Sequence, residues 1–201
     1  MEAIYKKIYQ RAKPFLNTRS NEPHVRGSYQ YGLRLLKSEG GDPGIVIPSI
    51  LLHDIGWKMI PEEDHLKMFG PLGDKNLQRV HERKGARMAA RILREVGYPE
   101  KEVKVIVSII KRHDTSSRPR SLNEKIVKDS DRLWRFSREG FSTDWMRFKV
   151  SPKEYLSYIK EKIEEWFFTE SAKKIAREEV QKRKRDLKPH IELPSYPKSK
   201  T

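Results

Sequence analysis

The sequence lacks cysteine, and it lacks any long apolar run. The absence of cysteine excludes disulfides, thiolate zinc sites and cysteine nucleophiles, and it fits a reducing compartment. The longest apolar stretch, residues 45–52, is much shorter than the ~20 residues that cross a bilayer. The charged N-terminus, MEAIYKKIYQ, also lacks a signal-peptide core. We therefore expect a soluble, cytoplasmic protein that does not bind membranes.

Acidic side chains are scarce relative to basic ones, with 28 Asp and Glu against 43 Lys and Arg and a net charge of +15. Such a balance predicts an anionic partner, whether a nucleotide, a nucleic acid or another phosphate compound. The alternative is a highly charged surface of the thermophilic type, because 35% of all residues are charged. Composition alone favours neither interpretation over the other.

No segment shows a convincing strand pattern, whereas helical periodicity recurs along most of the chain. The 201 residues fit one domain, which is large enough to bury a core without disulfide bonds. We predict an all-α bundle with an N-terminal helix over 2–16 and a long C-terminal helix over 151–186. Irregular segments are expected over 58–80 and after Gly140, and a basic, irregular tail over 187–201.

One apolar segment ends in two ionisable residues. Ile50, Leu51 and Leu52 lead directly into His53 and Asp54. Ionisable groups at the end of a buried segment are unfavourable unless something compensates them. A metal ion is the usual compensation for a neighbouring imidazole and carboxylate.

Helical spacing turns further titratable residues toward the same interior. A single inward histidine is more often a hydrogen-bonded core residue than a ligand. Four inward histidines and two carboxylates are hard to explain that way, because an apolar bundle has little reason to bury them except to hold cations. His65 and His190 are left over, in a loop and in the tail. The predicted ligands are His24, His53, Asp54, His81, His113 and Asp131.

These residues carry a family resemblance. The order His24, His53-Asp54 and Asp131, with the segments ILLHDIG and DSDRL, resembles the HD-domain superfamily of metal-dependent phosphohydrolases. The resemblance implies a bundle of five to seven helices in which those four residues bind a divalent ion. It implies an HD domain over 1–186 with its metal-binding core over 24–134. Asp131 is the matching acid of the DSD segment, and Asp129 is expected to face away.

The resemblance leaves the number of metal ions open. His81 and His113 occupy positions where some members bind a second ion, with the HD aspartate as a bridge. Other members place such histidines beside the substrate phosphate. We therefore expect one or two ions per chain. Because the sequence offers imidazole and carboxylate ligands and no thiolate, we expect Mn or Fe, with Co, Ni or Mg as alternatives. Two features depart from the cyclic-dinucleotide phosphodiesterase branch of the superfamily. Trp57 stands directly before Lys58, and the sequence contains no GYP-like segment.

The expected chemistry is hydrolysis of a phosphate ester or anhydride, with a nucleotide as the first choice of substrate. Asp54 would position the attacking water, and His81 or His113 could protonate the leaving oxygen if not bound to metal. Basic residues that could hold the phosphate are Lys58, Lys84 and Arg112. The alternatives are a di-iron oxygenase of the same superfamily and a non-catalytic metal-bound module. The module would bind a nucleotide or, as a minor option, nucleic acid.

Overall fold

The computed structural model describes residues 1–19, 21–68 and 73–187, and within these ranges every regular element is helical. The predicted all-α class is therefore confirmed. None of the helices described is long and apolar enough to cross a membrane. Three short 3₁₀ helices cover Lys13–Phe15, Ile55–Met59 and Glu62–Met68. The α-helices of the described chain are α1 (Ala3–Ala12), α2 (Asn21–Glu39), α3 (Pro43–Leu52), α4 (Lys75–Glu95), α5 (Glu100–Ile110), α6 (Leu122–Trp134), α7 (Arg138–Phe148), α8 (Pro152–Glu161), α9 (Ile163–Trp166) and α10 (Glu170–Asp186).

Helix α3 is the centre of the bundle. Every residue from 45 to 52 is buried, and α1, α2, α5 and α6 pack around it. The helix begins at Pro43, where the carboxylate of Asp42 accepts the N–H of Gly44 (2.8 Å) as an N-cap. Pro48 lies inside the helix instead of starting it. An apolar helix that is buried on all sides delivers the His53-Asp54 pair at its C-terminal end, deep in the protein.

Two glycines allow elements that carry site residues to approach closely. A Cβ atom added at Gly56 would lie 2.2 Å from the carbonyl oxygen of His81, so the segment after Asp54 can rest directly on α4. A Cβ atom added at Gly27 would lie 2.4 Å from Cδ1 of Trp134, so α2 and α6 also come close together. Only glycine fits at such contacts. These two contacts bring the ligands of four different elements to one point.

The C-terminal region differs from the predicted loop and single long helix. Residues 138–148 form α7, and the predicted helix over 151–186 is three helices, of which α10 alone reaches Asp186. The chain is extended at Phe167, and Thr169 caps α10. The buried carboxylate of Asp129 accepts the N–H groups of Phe168 and Thr169 (both 2.9 Å) and thereby stabilises the break.

The segment predicted as a long loop over 58–80 also contains helical structure. Its first part forms the two 3₁₀ helices, and α4 already begins at Lys75, capped by Asp74. His65 is buried there and donates to the carbonyl of Ile60 (3.0 Å). The tail beyond residue 187, including His190, lies outside the described residues.

The start of α6 forms only part of a capping box. Ser121 accepts the N–H of Glu124, but the Glu124 carboxylate accepts from Arg120 and pairs with Arg112 (2.9 Å). A complete capping box occurs instead at Ser151, where α8 begins.

Candidate metal centre

The six residues predicted as ligands converge on one buried point between the helices. Their elements are α2, the end of α3, α4, the end of α5 and α6, which lie far apart in the sequence. Each histidine is at least nine-tenths buried, and His81 is fully buried. Asp54 is 7% exposed, so the cluster is sealed except for a small opening on the side of its carboxylates.

The first half-site consists of His24, His53 and Asp131. The Nε2 atoms of the two histidines lie 3.0 Å apart. Oδ1 of Asp131 lies 3.2 Å from Nε2 of His24 and 3.6 Å from Nε2 of His53. Three donor atoms that meet at such short separations form a site that a metal ion can occupy between them.

The second half-site consists of His81, His113 and Asp114. The two Nε2 atoms lie 3.4 Å apart, and Oδ2 of Asp114 lies 3.4 Å from each of them. It repeats the composition of the first half-site, with two imidazoles and one carboxylate. The sequence did not single out Asp114, and the structure adds it to the candidate ligands.

Asp54 lies between the two half-sites and contacts both. Its Oδ2 is 3.4 Å from Nε2 of His24 and 3.7 Å from Nε2 of His53. Its Oδ1 is 3.6 Å from Nε2 of His81 and 3.5 Å from Nε2 of His113. One carboxylate with each oxygen directed at a different pair of imidazoles has the arrangement of a bridging ligand.

Backbone carbonyls fix the orientation of two of the imidazoles. Nδ1 of His53 lies 2.8 Å from the carbonyl oxygen of Ile50, and Nδ1 of His113 lies 2.8 Å from that of Ile110. A carbonyl oxygen can only accept, so Nδ1 carries the proton in both rings. In the neutral ring this leaves the lone pair of Nε2 directed into the centre, which is the arrangement of a metal-binding histidine.

Opposite charges in the centre outweigh the effect of burial. Burial by itself lowers the pKa of His53 and His113, but the neighbouring carboxylates raise both pKa values above the usual range. Burial likewise raises the pKa of the carboxyls of Asp54, Asp114 and Asp131, yet the facing histidines hold all three pKa values below their usual range. The buried carboxylate of Asp54 and the partly exposed carboxylates of Asp114 and Asp131 therefore favour positive charge at this point, and divalent cations would supply it.

The donor set fits a divalent transition metal. Within each half-site, the imidazole nitrogen atoms and the carboxylate oxygen atom all lie within 4.8 Å of one another, and the described chain offers no thiolate. Nitrogen and oxygen donors of this kind suit Mn, Fe, Co or Ni, and they do not form the closed thiolate site of structural zinc. The first carboxylate of the DSD segment, Asp129, takes no part, because it accepts the backbone N–H groups of residues 168–169 on the other side of α6.

Two buried charged side chains hold the turn that carries Asp114. Glu82, next to His81 on α4, accepts the N–H groups of Asp114 and Thr115 (both 2.9 Å) and the hydroxyl of Thr115 (2.7 Å). Lys128, one turn before Asp131 on α6, donates to the carbonyls of Arg112, His113 and Ser116. These bonds satisfy backbone groups of the turn that follows α5.

Three arginines surround the opening of the centre. The guanidinium of Arg19 stacks on the ring of Trp57 (3.5 Å to the centroid), and Nε1 of Trp57 donates to Oδ1 of Asp54 (3.0 Å). Arg135 and Arg147 both pair with the fully buried Asp144 (3.1 and 3.0 Å). Two guanidinium groups against one carboxylate leave net positive charge beside the ligand carboxylates, at the place where an anion would enter.

Two of the three basic residues predicted to hold phosphate have other contacts. Lys58 is exposed, and Nζ of Lys84 donates to the carbonyl of Met59 (3.2 Å). Arg112 pairs with Glu124 and donates to the carbonyl of Arg118, which fixes the turn after α5. Their role in phosphate binding stays a prediction, and the structure offers the three arginines at the opening as further candidates.

Two tryptophans, Trp57 and Trp134, border the centre. Trp57 contacts Asp54 as described, and it packs on the ring of His81 (4.7 Å between centroids). Trp134 is buried with its ring perpendicular to that of His24 (4.9 Å). Both tryptophans therefore hold ligands in place by packing.

Comparison with known proteins agrees with this geometry. Searches among curated proteins and among solved structures found no significant match. A sequence model described as HD domain matches residues 23–135, which is more than half of the chain and includes every ligand of both half-sites. The chain thus belongs to the HD-domain family, a superfamily of metal-dependent phosphohydrolases.

Proposed function

We propose that this protein is a metal-dependent phosphohydrolase that acts on a phosphate ester or anhydride of a nucleotide. The observation that carries the proposal is the position of Asp54. Its two oxygens face two half-sites of equal composition, directly below an opening lined by arginines. A divalent pair beneath a positively charged entrance is an arrangement that supports phosphoryl transfer.

The residues divide into two sets of four ligands that share Asp54. His24, His53 and Asp131 would hold one cation, and the second half-site would hold the other. Bound Mn or Fe would supply Lewis acidity and would lower the pKa of a bound water. With His81 and His113 committed as ligands, neither is free to act as the general acid.

The remaining residues bind and orient the substrate. Arg19, Arg135 and Arg147 would neutralise the phosphate and hold its oxygens, since a guanidinium can bind phosphate through two parallel hydrogen bonds. Asp144 fixes two of these arginines, so part of the binding site is rigid before the substrate arrives. The buried walls formed by Trp57 and Trp134 limit the access of bulk water.

The test is metal analysis together with an activity screen. Protein purified without chelator should contain up to two Mn or Fe ions per chain, and it should release phosphate from nucleoside mono- or triphosphates or a generic phosphodiester without consuming oxygen. Asp131→Ala should abolish release, whereas Asp186→Ala, a change at an exposed acid of α10, should not. Metal-free protein that added Mn or Fe does not stabilise would contradict the site.

The same screen separates the alternatives. Turnover that requires iron and oxygen, on a compound without a scissile phosphate, would identify an oxygenase instead. Tight binding of nucleotide or nucleic acid by metal-loaded protein that turns over none of these compounds would favour a non-catalytic module.

A further inference from the structure

A second cavity of about 220 Å³ opens beside the metal centre and shares Asp114, Asp131 and Arg135 with it. Its other walls come from residues that lie beyond the HD-domain match, at the end of α7 and on α8 and α9, together with Arg132. We call this cavity the aromatic cleft and define it by Arg132, Arg135, Phe148, Tyr155, Tyr158 and Trp166.

The rings of the cleft form a continuous row. Phe148 and Tyr155 lie 6.2 Å apart between centroids, Tyr155 and Tyr158 6.3 Å apart, and Tyr158 and Trp166 5.7 Å apart. Tyr155 is buried, and its hydroxyl donates to Asp144 (2.9 Å). Tyr158 is 47% exposed, although it lies next to this buried ring. An exposed aromatic surface in a concave wall, next to a candidate catalytic centre, is typical of a ligand site.

Two cations lie between the rings and the metal centre. Arg132 lies in the last turn of α6 and Arg135 directly after its end, and both interact electrostatically with Asp131, so they lie between the ligand carboxylates and the rings. The guanidinium of Arg135 lies 5.9 Å from the centroid of Trp166, and Arg132 donates to the carbonyl of Trp166. Their order along the cavity is therefore metal ligands, then guanidinium groups, then aromatic rings.

That order matches the chemistry of one class of molecule. Resting on the proposed phosphohydrolase function, we propose that the aromatic cleft binds the base of a single nucleotide whose phosphate lies at the metal centre. Tyr158 stacks on the base, Trp166, whose ring lies at 78° to that of Tyr158, contacts the edge of the base, and Arg135 contacts the phosphate. A cavity of about 220 Å³ is smaller than the ~300–1,000 Å³ pockets that hold drug-sized ligands, and its size suits a single base. The substrate class is accordingly a mononucleotide or its ester.

Binding measurements without turnover test the cleft separately from the reaction. The probes are the phosphonate analogues of adenosine 5′-monophosphate and of ribose 5-phosphate, which have equivalent phosphonate groups and differ only in the base. Isothermal titration of the Mn-loaded protein should show at least about tenfold tighter binding of the analogue with the base, since stacking on an aromatic side chain contributes that much per base. Equal affinity for the two probes would overturn the proposal.

Two variants and a control assign the effect to the rings. Tyr158→Ala should reduce the preference for the base by roughly tenfold and Trp166→Leu should reduce it less, and both should leave the affinity for the ribose analogue unchanged. Met146→Ala, an exposed change on the neighbouring α7, should leave both affinities unchanged. Tyr158 is exposed, so its variant should fold even if the Trp166 variant does not. Loss of affinity for both probes in the Tyr158 variant would overturn the stacking role.

Failure of the cleft and failure of the hydrolase give different results. Phosphate release at equal rates from adenosine 5′-monophosphate and ribose 5-phosphate, with equal binding, would contradict the cleft and leave the hydrolase intact. Base-dependent binding without phosphate release from any nucleotide would contradict the hydrolase and support the cleft.

Discussion

The two half-sites contain the same donors but are supported in different ways. In the first, His24 and Asp131 lie within long helices, and His53 caps the buried α3. In the second, only His81 lies within a helix, while His113 and Asp114 follow the end of α5 in a turn. The first half-site is fixed by helix packing, in which α2 and α6 meet at Gly27 and Trp134.

The second half-site depends on side chains that bind the backbone. Glu82 and Lys128 hold the turn from opposite sides, and both are buried charges. Hydrogen bonds of this kind can be removed one at a time, whereas helix packing cannot be removed without unfolding the helix. We therefore expect changes around the second half-site to separate metal binding from folding more cleanly than changes around the first.

The largest effect is expected from the residue that the two half-sites share. Asp54→Ala should lower the metal content from two ions per chain to none and should abolish turnover, because both cations lose a ligand and the negative charge between them. Elemental analysis and phosphate release measure these outcomes. Asp54→Asn, which keeps the acceptor for Nε1 of Trp57, separates loss of charge from loss of packing. Two retained ions in both variants would show that Asp54 is not a bridge.

The next effect compares single ligands of the two half-sites. His24→Ala and His81→Ala should each lower the metal content from two ions toward one, and circular dichroism should show that each variant remains helical. If the metal content of the His81 variant stays unchanged while turnover falls by roughly 10²–10⁴-fold, His81 serves the substrate as a general acid or base. Unchanged metal and unchanged turnover would make His81 a structural residue.

A smaller effect is expected from Glu82, which supports the second half-site and does not face the metal. Glu82→Gln should weaken binding at that half-site by roughly 10–100-fold, as is typical when a residue that orients a ligand is changed. Titration of apo-protein with Mn should then show one tight and one weakened site. The matched control is Glu95→Gln on the same helix, where the carboxylate is exposed and pairs with Arg11. Two equally weakened sites would contradict the conclusion that Glu82 supports only the second half-site.

Most of the site could be predicted from the sequence because its ligands lie on apolar helical faces. The run Ile50–Leu52 before His53, and the face that Gly85 and Ala89 share with His81, fix which side of each helix is buried. Asp114 could not be predicted in this way, because periodicity ends where α5 ends. Its position depends on Glu82, which is 32 residues away in the sequence. The repeated His-Asp pair at 113–114 was the available signal.

The C-terminal helices show the same limit. The segment REGFSTDWMRF has little apolar periodicity and contains Gly140, a pattern that predicts a loop. It forms α7 because Ser137 caps it and Gly140 packs directly against the carbonyl of Trp134. The break before α10 depends likewise on Asp129, a distant residue on α6. Local sequence cannot show contacts of this range.

The smallest expected effect concerns Lys128, the second support of the turn. Lys128→Met removes the Nζ atom that binds three carbonyls at the end of α5 and replaces it with an apolar side chain of similar length. The free energy of unfolding should fall by about 1–3 kcal/mol, because the carbonyls keep their burial and lose a donor. Chemical denaturation measures the change, with Lys104→Met, an exposed change on α5, as the control. Since Glu82 still holds Asp114, the affinity of the second half-site for Mn should fall less in Lys128→Met than in Glu82→Gln. A larger fall in Mn affinity in Lys128→Met than in Glu82→Gln would show that Lys128 is the main support of this half-site.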